Sequence, residues 1–157
     1  SKCYSVFGGG TGGRARGPGR EELNFPEAQA MCRTMSQSST ANLVRPETWA
    51  ENELVKDLCI GIAYQDTNPA LGFASGLPLL ADPVCWIGLM DPDGDRQWEW
   101  MQKETVVDKR WRSWLRGEPN NRMTDVGGEA CAVVSQPRYD PEKQHLGLWN
   151  DDRCMTQ

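Results

Sequence analysis

The distribution of six cysteines along 157 residues constrains this chain more than any other feature. They are spread from one end of the sequence to the other, at Cys3, Cys32, Cys59, Cys85, Cys131 and Cys154. No C-x-x-C pair occurs and His145 is the one histidine, so a four-ligand zinc site would need widely scattered thiolates. An even number of dispersed cysteines is instead typical of disulfide-linked domains in oxidising compartments. We therefore expect a secreted or extracellular protein, at the cell surface if the chain is part of a larger one.

Length and charge narrow the class of protein further. A chain of 157 residues is the size of one domain and can bury a core of its own. The net charge of −5 argues against a nucleic-acid partner, which requires a basic face, and against a polybasic membrane-binding surface. No stretch is apolar over enough residues to span a bilayer, and we expect no membrane span.

The sequence lacks the patterns that enzymes of common classes require. With His145 as the one histidine and no Gly-x-Ser-x-Gly, no nucleophile–base pair stands out. Gly8–Gly13 formally matches G-x-G-x-x-G, but the residues after it, Arg14–Arg20, contain Pro18 and begin no helix. We interpret Gly8–Arg20 as a flexible surface loop and expect that the chain is not an enzyme.

The spacing of apolar residues predicts a mixed α+β arrangement. The expected elements are strands at Cys3–Phe7, Ala41–Val44, Cys85–Met90 and Gln97–Met101 and helices at Phe25–Met35 and Thr48–Ile60. Asn24 is a suitable cap for the first helix, and Pro26 and Glu27 suit its first turn. The buried face of the second helix is expected to contain Leu54, Val55, Leu58 and Cys59.

The second half of the chain is poor in regular patterns. Val107–Trp149 is expected to be mostly loop, with one apolar run at Ala130–Val134. This much loop in a small domain is either disordered or organised by a ligand such as a metal ion. Before it, Asp91–Asp95 resembles half of a calcium loop but lacks the EF-hand spacing and the closing glutamate. We interpret Asp91–Asp95 as a tight turn, with a weak accessory cation site as the alternative.

Two clusters in this loop-rich half carry hard oxygen ligands: one is Gly117–Asn121 with Glu129–Cys131 after a gap, and the other is Trp149–Asp151. They supply the carboxylates of Glu118, Glu129 and Asp151 and the amide oxygens of Asn120 and Asn150. Calcium prefers about six to eight oxygen ligands from carboxylates, amides, backbone carbonyls and water. These side chains, one backbone carbonyl and a water would reach that number, so the pattern predicts a calcium site. Ordinary turns with Asx hydrogen bonds are the alternative.

The order of the motifs resembles that of C-type lectin-like domains. The segments that carry the resemblance are Cys32 after an amphipathic helix, Trp86-Ile87-Gly88-Leu89, Trp98-Glu99-Trp100, Gly117-Glu118-Pro119-Asn120, Glu129 before Cys131, and Trp149-Asn150-Asp151 before Cys154. The resemblance covers nearly the whole chain and implies two helices flanking small antiparallel sheets, with a long calcium- and ligand-binding loop region. It also implies that residues 1–157 are a single such domain. Because the usual last strand and its cysteine are missing, we interpret the chain as a fragment of a longer one.

The resemblance assigns roles to the two clusters. In calcium-binding members, the motif that here is Glu118-Pro119-Asn120 supplies two ligands across a cis peptide bond before the proline. Glu129 matches a further acidic ligand. The Trp-Asn-Asp motif supplies two more, which here are Asn150 and Asp151, and Trp149 is expected to be a core anchor.

The implied function is calcium-dependent binding of carbohydrate. Two neighbouring sugar hydroxyls would bind the ion and form hydrogen bonds with Glu118, Asn120, Glu129 and Asn150. Glu-Pro-Asn is the motif of members that bind mannose, fucose or N-acetylglucosamine, so we expect glycans or glycoproteins as partners, besides other domains of a parent chain. The alternative is a protein-binding or structural module of the same fold, in which calcium only orders the loops.

The family pattern also implies disulfide pairs. It indicates a bond between Cys131 and Cys154. We further expect a bond between Cys59 and Cys85, from the second helix to the central strand. Cys3 and Cys32 pair with each other or with segments outside this chain, and the sequence does not decide between these two possibilities.

Overall fold

The computed structural model describes residues 9–10, 23–67, 83–101, 112–124, 127–135 and 148–155. Its elements in chain order are β1 (Gly9–Gly10), α1 (Phe25–Ser36), α2 (Trp49–Thr67), β2 (Pro83–Met90), β3 (Glu99–Trp100), β4 (Met123–Thr124), β5 (Gly127–Gly128), β6 (Cys131–Ser135) and β7 (Leu148–Asp152). One sheet has the order β1-β2-β6-β7 with β3 also paired to β2, while β4 and β5 form a separate hairpin. The pairings between these strands are antiparallel, so the expected α+β class is confirmed.

Helix α1 begins where the sequence predicts. The Asn24 side chain accepts a hydrogen bond from the Glu27 N–H at 3.0 Å, and the Glu27 carboxylate accepts one from the Asn24 N–H at 2.9 Å. This reciprocal capping box satisfies two backbone donors that the helix itself cannot pair. The helix ends before Gln37, whose left-handed backbone closes the last turn.

Helix α2 is longer than predicted, because it continues past Ile60 to Thr67. A single glycine such as Gly61 costs about 1 kcal/mol in a helix interior and does not by itself end the helix. Proline does so more strongly, and the next one in the sequence is Pro69. Among the described residues, no helix combines the length and the apolar character that crossing a membrane requires.

The predicted strand at Ala41–Val44 is wrong. The segment is buried but irregular, and the side chain of Gln29 on α1 takes the place of a neighbouring strand. The Gln29 amide donates to the Ala41 carbonyl at 3.0 Å and accepts from the Leu43 N–H at 2.9 Å. These bonds satisfy the backbone of the segment without a ladder.

Strand β2 is the centre of the sheet, as the continuous apolar run predicts. It pairs with β6 in the register Cys85 to Val134, and β6 pairs with β7 in the register Ala132 to Asp151. Gly88 lies against the irregular segment next to α1: a Cβ there would come within 2.8 Å of the Leu43 carbonyl oxygen. Only glycine allows this close approach of two backbones.

Three smaller expectations at the edges of the sheet have different outcomes. The Gly9–Gly10 part of the predicted flexible loop is a short strand, β1, because it pairs with the backbone of Pro83 and Val84 at the start of β2. The predicted strand at Cys3–Phe7 lies outside the described residues. The strand predicted at Gln97–Met101 is present but shorter, at Glu99–Trp100.

Both expected disulfides are present. Cys59 on α2 is bonded to Cys85 on β2, and Cys131 on β6 is bonded to Cys154 in the turn after β7. Cys32 is buried, with its sulfur 3.2 Å from the Asn42 carbonyl oxygen, and Cys3 lies outside the described residues.

Tryptophan rings form the part of the core next to β7. Trp149 is completely buried and meets Trp100 and Trp114 edge to face, with ring centroids 5.7 Å apart in both cases. Trp98 packs on Trp114 at 4.8 Å. The expected role of Trp149 as a core anchor agrees with this position, and the residues that follow it directly belong to the predicted calcium site.

Candidate metal and ligand site

The Trp149-Asn150-Asp151 motif lies on strand β7 and not in a loop, which corrects the expectation for this region. Pairing with the apolar strand β6 fixes its backbone. Burial alternates along the strand, with Trp149 and Asp151 buried and Asn150 only partly so. An ordinary Asx turn is therefore wrong as the alternative for these three residues.

Asp151 connects the two clusters that the sequence pointed to. Its carboxylate is completely buried and accepts hydrogen bonds from the backbone N–H groups of Asn120, at 3.1 Å, and Asn121, at 2.6 Å. These bonds join the loop that carries Glu118 and Asn120 to strand β7. Residues more than 30 positions apart in the sequence thereby form one site.

The Glu118-Pro119-Asn120 segment has the expected cis peptide bond before Pro119. The Glu118 carboxylate accepts hydrogen bonds from the Asn120 backbone N–H at 3.0 Å and from its side-chain amide at 2.6 Å. Gly117 precedes the segment with a left-handed φ of 96°, which favours glycine. An acceptor and a donor side chain therefore lie next to each other at this end of the loop.

Glu129 joins the site from the residue pair just before β6. The following residue, Ala130, donates its N–H to the Asp152 carbonyl at 3.1 Å, which holds this end of β6 against β7. The Glu129 carboxylate is close enough to Asp151 to be affected by its charge, and the Arg122 backbone donates a hydrogen bond to it.

Asp151 disfavours the ionised forms of the two glutamates of the site. Burial, together with a hydrogen bond to Asp151 and repulsion by its charge, raises the pKa of Glu118 to about 7, although the Asn120 N–H groups oppose this. Burial also raises the pKa of Glu129, and the charge of Asp151 adds to the effect. A cation among these carboxylates would favour their ionised forms.

Hydrogen bonds or charge interactions link three predicted ligands, Glu118, Asn120 and Glu129, to a fourth, Asp151. The fifth, Asn150, directly precedes Asp151 on β7. The Asn150 side-chain amide donates a hydrogen bond to the Asp151 carbonyl at 2.7 Å. The site thus contains three carboxylates and two carboxamides, a set of hard oxygen donors that fits calcium better than a softer metal.

Comparison with known proteins identifies the family of the chain. The family model of the Lectin C-type domain matches residues 21–157. The chain belongs to the C-type lectin domain family. Human E-selectin is 32% identical to this lectin domain over 72 residues, which are 46% of the chain and 10% of E-selectin. Human CD209 antigen is 35% identical over 69 residues, 44% of the chain and 14% of that protein.

A shorter relative is similar over a comparable stretch. A C-type lectin of Thrasops jacksonii, one of the lectoxins, is 35% identical over 73 residues, which are 45% of this chain and 37% of that lectoxin. The lectin domain therefore spans well under half the length of each of these relatives.

Solved structures show the same fold. The cow CD23 carbohydrate-recognition domain, determined in the presence of GlcNAc2Man3 oligosaccharide, has a TM-score of 0.53 at 19% identity, covering 95% of this chain and 75% of that one. Ovocleidin-17 of the Gallus gallus eggshell calcified layer has a TM-score of 0.53 at 23% identity, covering 95% and 81%. The C-type lectin fold expected from the motifs is confirmed.

The lectin domain's second acidic cluster, at Asp91–Asp95, forms the predicted tight turn. The buried Asp91 carboxylate accepts hydrogen bonds from the Gly94 and Arg96 N–H groups, both at 3.0 Å. The carboxylates of Asp91, Asp93 and Asp95 have oxygens within 4.8 Å of one another. Both oxygens of Asp91 are used by the turn itself, so the backbone alone accounts for its position.

Sequence reasoning missed one polar residue that contacts the site's anchor. Asn52 on α2 is completely buried, and its side-chain oxygen accepts a hydrogen bond from the Trp149 indole N–H at 2.8 Å. Asn52, Val55 and Cys59 follow helical spacing and form the buried face, whereas Leu54 and Leu58, expected there, are exposed. That spacing in the sequence was the signal that could have revealed Asn52.

Proposed function

We propose that this C-type lectin domain binds carbohydrate through a calcium ion. The proposed ligands of the ion are Glu118, Asn120, Glu129, Asn150 and Asp151. The observation that carries the proposal is the convergence of three carboxylates, with those of Glu118 and Glu129 beside the buried side chain of Asp151. Buried carboxylates are costly unless they are paired or bind a metal, and the raised pKa values of Glu118 and Glu129 express that cost.

The family supports the same assignment. The matching family model is that of the Lectin C-type domain, and the lectoxin of Thrasops jacksonii, a named C-type lectin, is 35% identical over 73 residues. When bound, calcium would supply open coordination positions that sugar hydroxyls can occupy. No step of bond cleavage is needed for this function.

The chain's own side chains would orient the sugar. Glu118 and Asn120 already contact each other through a 2.6 Å hydrogen bond, so an acceptor and a donor stand side by side. A sugar hydroxyl can donate its proton to such a carboxylate and accept a hydrogen bond from such an amide. We assign the same two roles to Glu129 and Asn150 for a second, neighbouring hydroxyl.

The sugar class follows from the order of these groups. Glu-Pro-Asn in this position favours mannose, fucose and N-acetylglucosamine, as the resemblance implies. A single site of this kind buries few atoms, so its dissociation constant should be roughly millimolar. We propose that the ligands are glycans or glycoproteins and that the domain acts outside the cell, where its two disulfides persist.

A glycan array read with calcium and again with chelator tests the proposal. We expect binding of mannose- or fucose-type glycans that chelator abolishes. The double variant Glu118→Gln/Asn120→Asp exchanges the carboxylate and the amide without changing net charge, so it should weaken this binding or shift it toward galactose.

The second acidic cluster supplies the matched control. The variant Asp93→Asn/Asp95→Asn removes two exposed carboxylates of the other cluster and should bind glycans as the unsubstituted protein does. Calcium that raises the melting temperature without any glycan binding would refute sugar recognition. It would favour the alternative of a protein-binding or structural module whose loops calcium orders.

A further inference from the structure

We propose that Asn52, on helix α2, is a positioning residue for the calcium and sugar site. The inference rests on the proposed function and concerns a residue that would touch neither the ion nor the sugar. Its side chain orients Trp149, and the backbone of Trp149 holds both halves of the site.

The contact between Asn52 and Trp149 joins two groups that water does not reach. Both residues are completely buried, and the Asn52 Oδ1 accepts from the Trp149 Nε1–H at 2.8 Å. The ring also packs edge to face on Trp100 and Trp114. Apolar packing is weakly directional, whereas a buried hydrogen bond specifies one orientation of the indole ring.

The backbone of Trp149 binds the segment that leads to Glu118. Its N–H donates to the Ser113 carbonyl at 2.6 Å, and its carbonyl accepts from the Leu115 N–H at 2.8 Å. The Leu115 carbonyl in turn accepts from the Glu118 N–H at 2.9 Å. A shift of Trp149 would therefore displace Glu118. It would also displace Asn150 and Asp151, which follow Trp149 directly on β7.

Helix α2 is a firm base for this contact. The Asn52 N–H donates to the Thr48 carbonyl at 3.0 Å in the first helical turn, and Val55 packs in the same core cluster as Trp149. The disulfide between Cys59 and Cys85 ties the helix to the central strand. The core thus fixes Asn52, Asn52 fixes the ring of Trp149, and the backbone of Trp149 fixes the proposed ligands.

The variant Asn52→Leu tests the proposal, because leucine has the same branching and the same number of side-chain heavy atoms but offers no acceptor to the Trp149 N–H. We expect calcium affinity to fall about tenfold, the lower end of what losing an outer-shell partner costs a metal site. Affinity is measured by calorimetric titration at a temperature where circular dichroism shows the variant fully folded.

The matched control is Val55→Ala, one helical turn away and equally part of the core. It should lower the melting temperature but change calcium affinity by less than about twofold, because it removes packing without changing the indole hydrogen bond. A merely structural role for Asn52 predicts equal calcium affinities in the two folded variants, and that result would overturn the inference.

A double-mutant cycle isolates the hydrogen bond. Trp149→Phe removes the donor, and Asn52→Leu/Trp149→Phe removes both partners, so no buried polar group is left unpaired by the loss of this bond. We expect the double variant to lose no more calcium affinity than either single one. Additive losses would overturn the inference.

The outcomes also separate this inference from the proposed function. If Asn52→Leu does not fold, Trp149→Phe gives the same comparison, and unchanged calcium affinity in it would overturn the inference alone. An unsubstituted protein that binds no calcium would overturn the proposed function and this inference with it.

Discussion

A fully buried carboxylate needs compensation, and Asp151 receives it from two backbone N–H groups of the loop opposite. Yet the side chains of Glu118 and Glu129 add negative charge to the same place. Stability alone would not favour such a cluster, since like charges at short range disfavour each other. At the scale of single residues, this accumulation of negative charge is what supports the proposed cation site.

The substitution Asp151→Asn should abolish the stabilisation that calcium gives. It removes one of the three negative charges and replaces one of the two oxygens that accept a backbone N–H by an NH2 group, which can only donate. We expect the calcium-dependent rise in melting temperature, measured by differential scanning fluorimetry against chelator, to disappear. The neighbouring Asp152→Asn, with the same change of charge, should keep it, and a persistent rise in Asp151→Asn would contradict the assignment.

Sequence reasoning could name the candidate ligands but not their mutual contacts. Glu118, Asn120 and Asp151 have recognisable motifs around them, so residue type and order were enough. The hydrogen bonds that Asp151 accepts from the opposite loop depend on chain segments about 30 residues apart, which no local pattern encodes. Helical spacing could have revealed the burial of Asn52 but not its partner, because Trp149 is 97 positions away.

At the scale of elements, helix α1 has a stability determinant of its own. The capping box between Asn24 and Glu27 satisfies two backbone donors at its start. Asn24→Ala should lower the free energy of unfolding by about 1 kcal/mol, measured by urea denaturation. Ser39→Ala, an exposed position beyond the helix, should have no measurable effect. Equal stabilities of these two variants would show that the cap contributes nothing.

Elements with strong local patterns were predicted well, and those fixed by distant pairing were not. The capped helix α1 and the apolar run of β2 are recognisable from a dozen residues or fewer. Strand β7 is not, because Asn150, Asp151 and Asp152 are unfavourable in strands and only pairing with β6 holds them there. Ala41–Val44 has a strand-like composition, but the side chain of Gln29 satisfies its backbone instead.

At the scale of the whole molecule, two disulfides close loops of similar length, with sequence separations of 26 and 23 residues. By chain entropy alone, removing either should cost about 3 kcal/mol of stability. Their positions differ, however. Cys131 lies two residues after Glu129, and its partner Cys154 lies three residues after Asp151. The bond between Cys59 and Cys85 instead joins α2 to the central strand.

Paired substitutions should therefore separate stability from ligand binding. Cys131→Ala/Cys154→Ala and Cys59→Ala/Cys85→Ala should lose similar stability in chemical denaturation. Only the first is expected to weaken calcium binding, measured by calorimetric titration, because its disulfide constrains the strand ends that carry two proposed ligands. Equal calcium affinities in the two folded variants would contradict this view of the Cys131–Cys154 bond.

The fold class and the disulfide pairs could be predicted because the order of cysteines and motifs can be read directly from the sequence, without knowing which residues are in contact. The sheet order β1-β2-β6-β7 could not, since it joins strands that are far apart in sequence. Such pairings depend on how the whole chain packs, and local propensity carries little information about them.

The cluster of Trp98, Trp100, Trp114 and Trp149 gives the protein an optical reporter next to its ligand site. Indole rings this close, held at fixed edge-to-face angles, couple their electronic transitions, so they should produce a strong near-ultraviolet circular dichroism band. Because Trp149 directly precedes Asn150 and Asp151, small movements of the ligands should alter its emission. Fluorescence of the unlabelled protein should therefore report the proposed binding of an ion or a sugar.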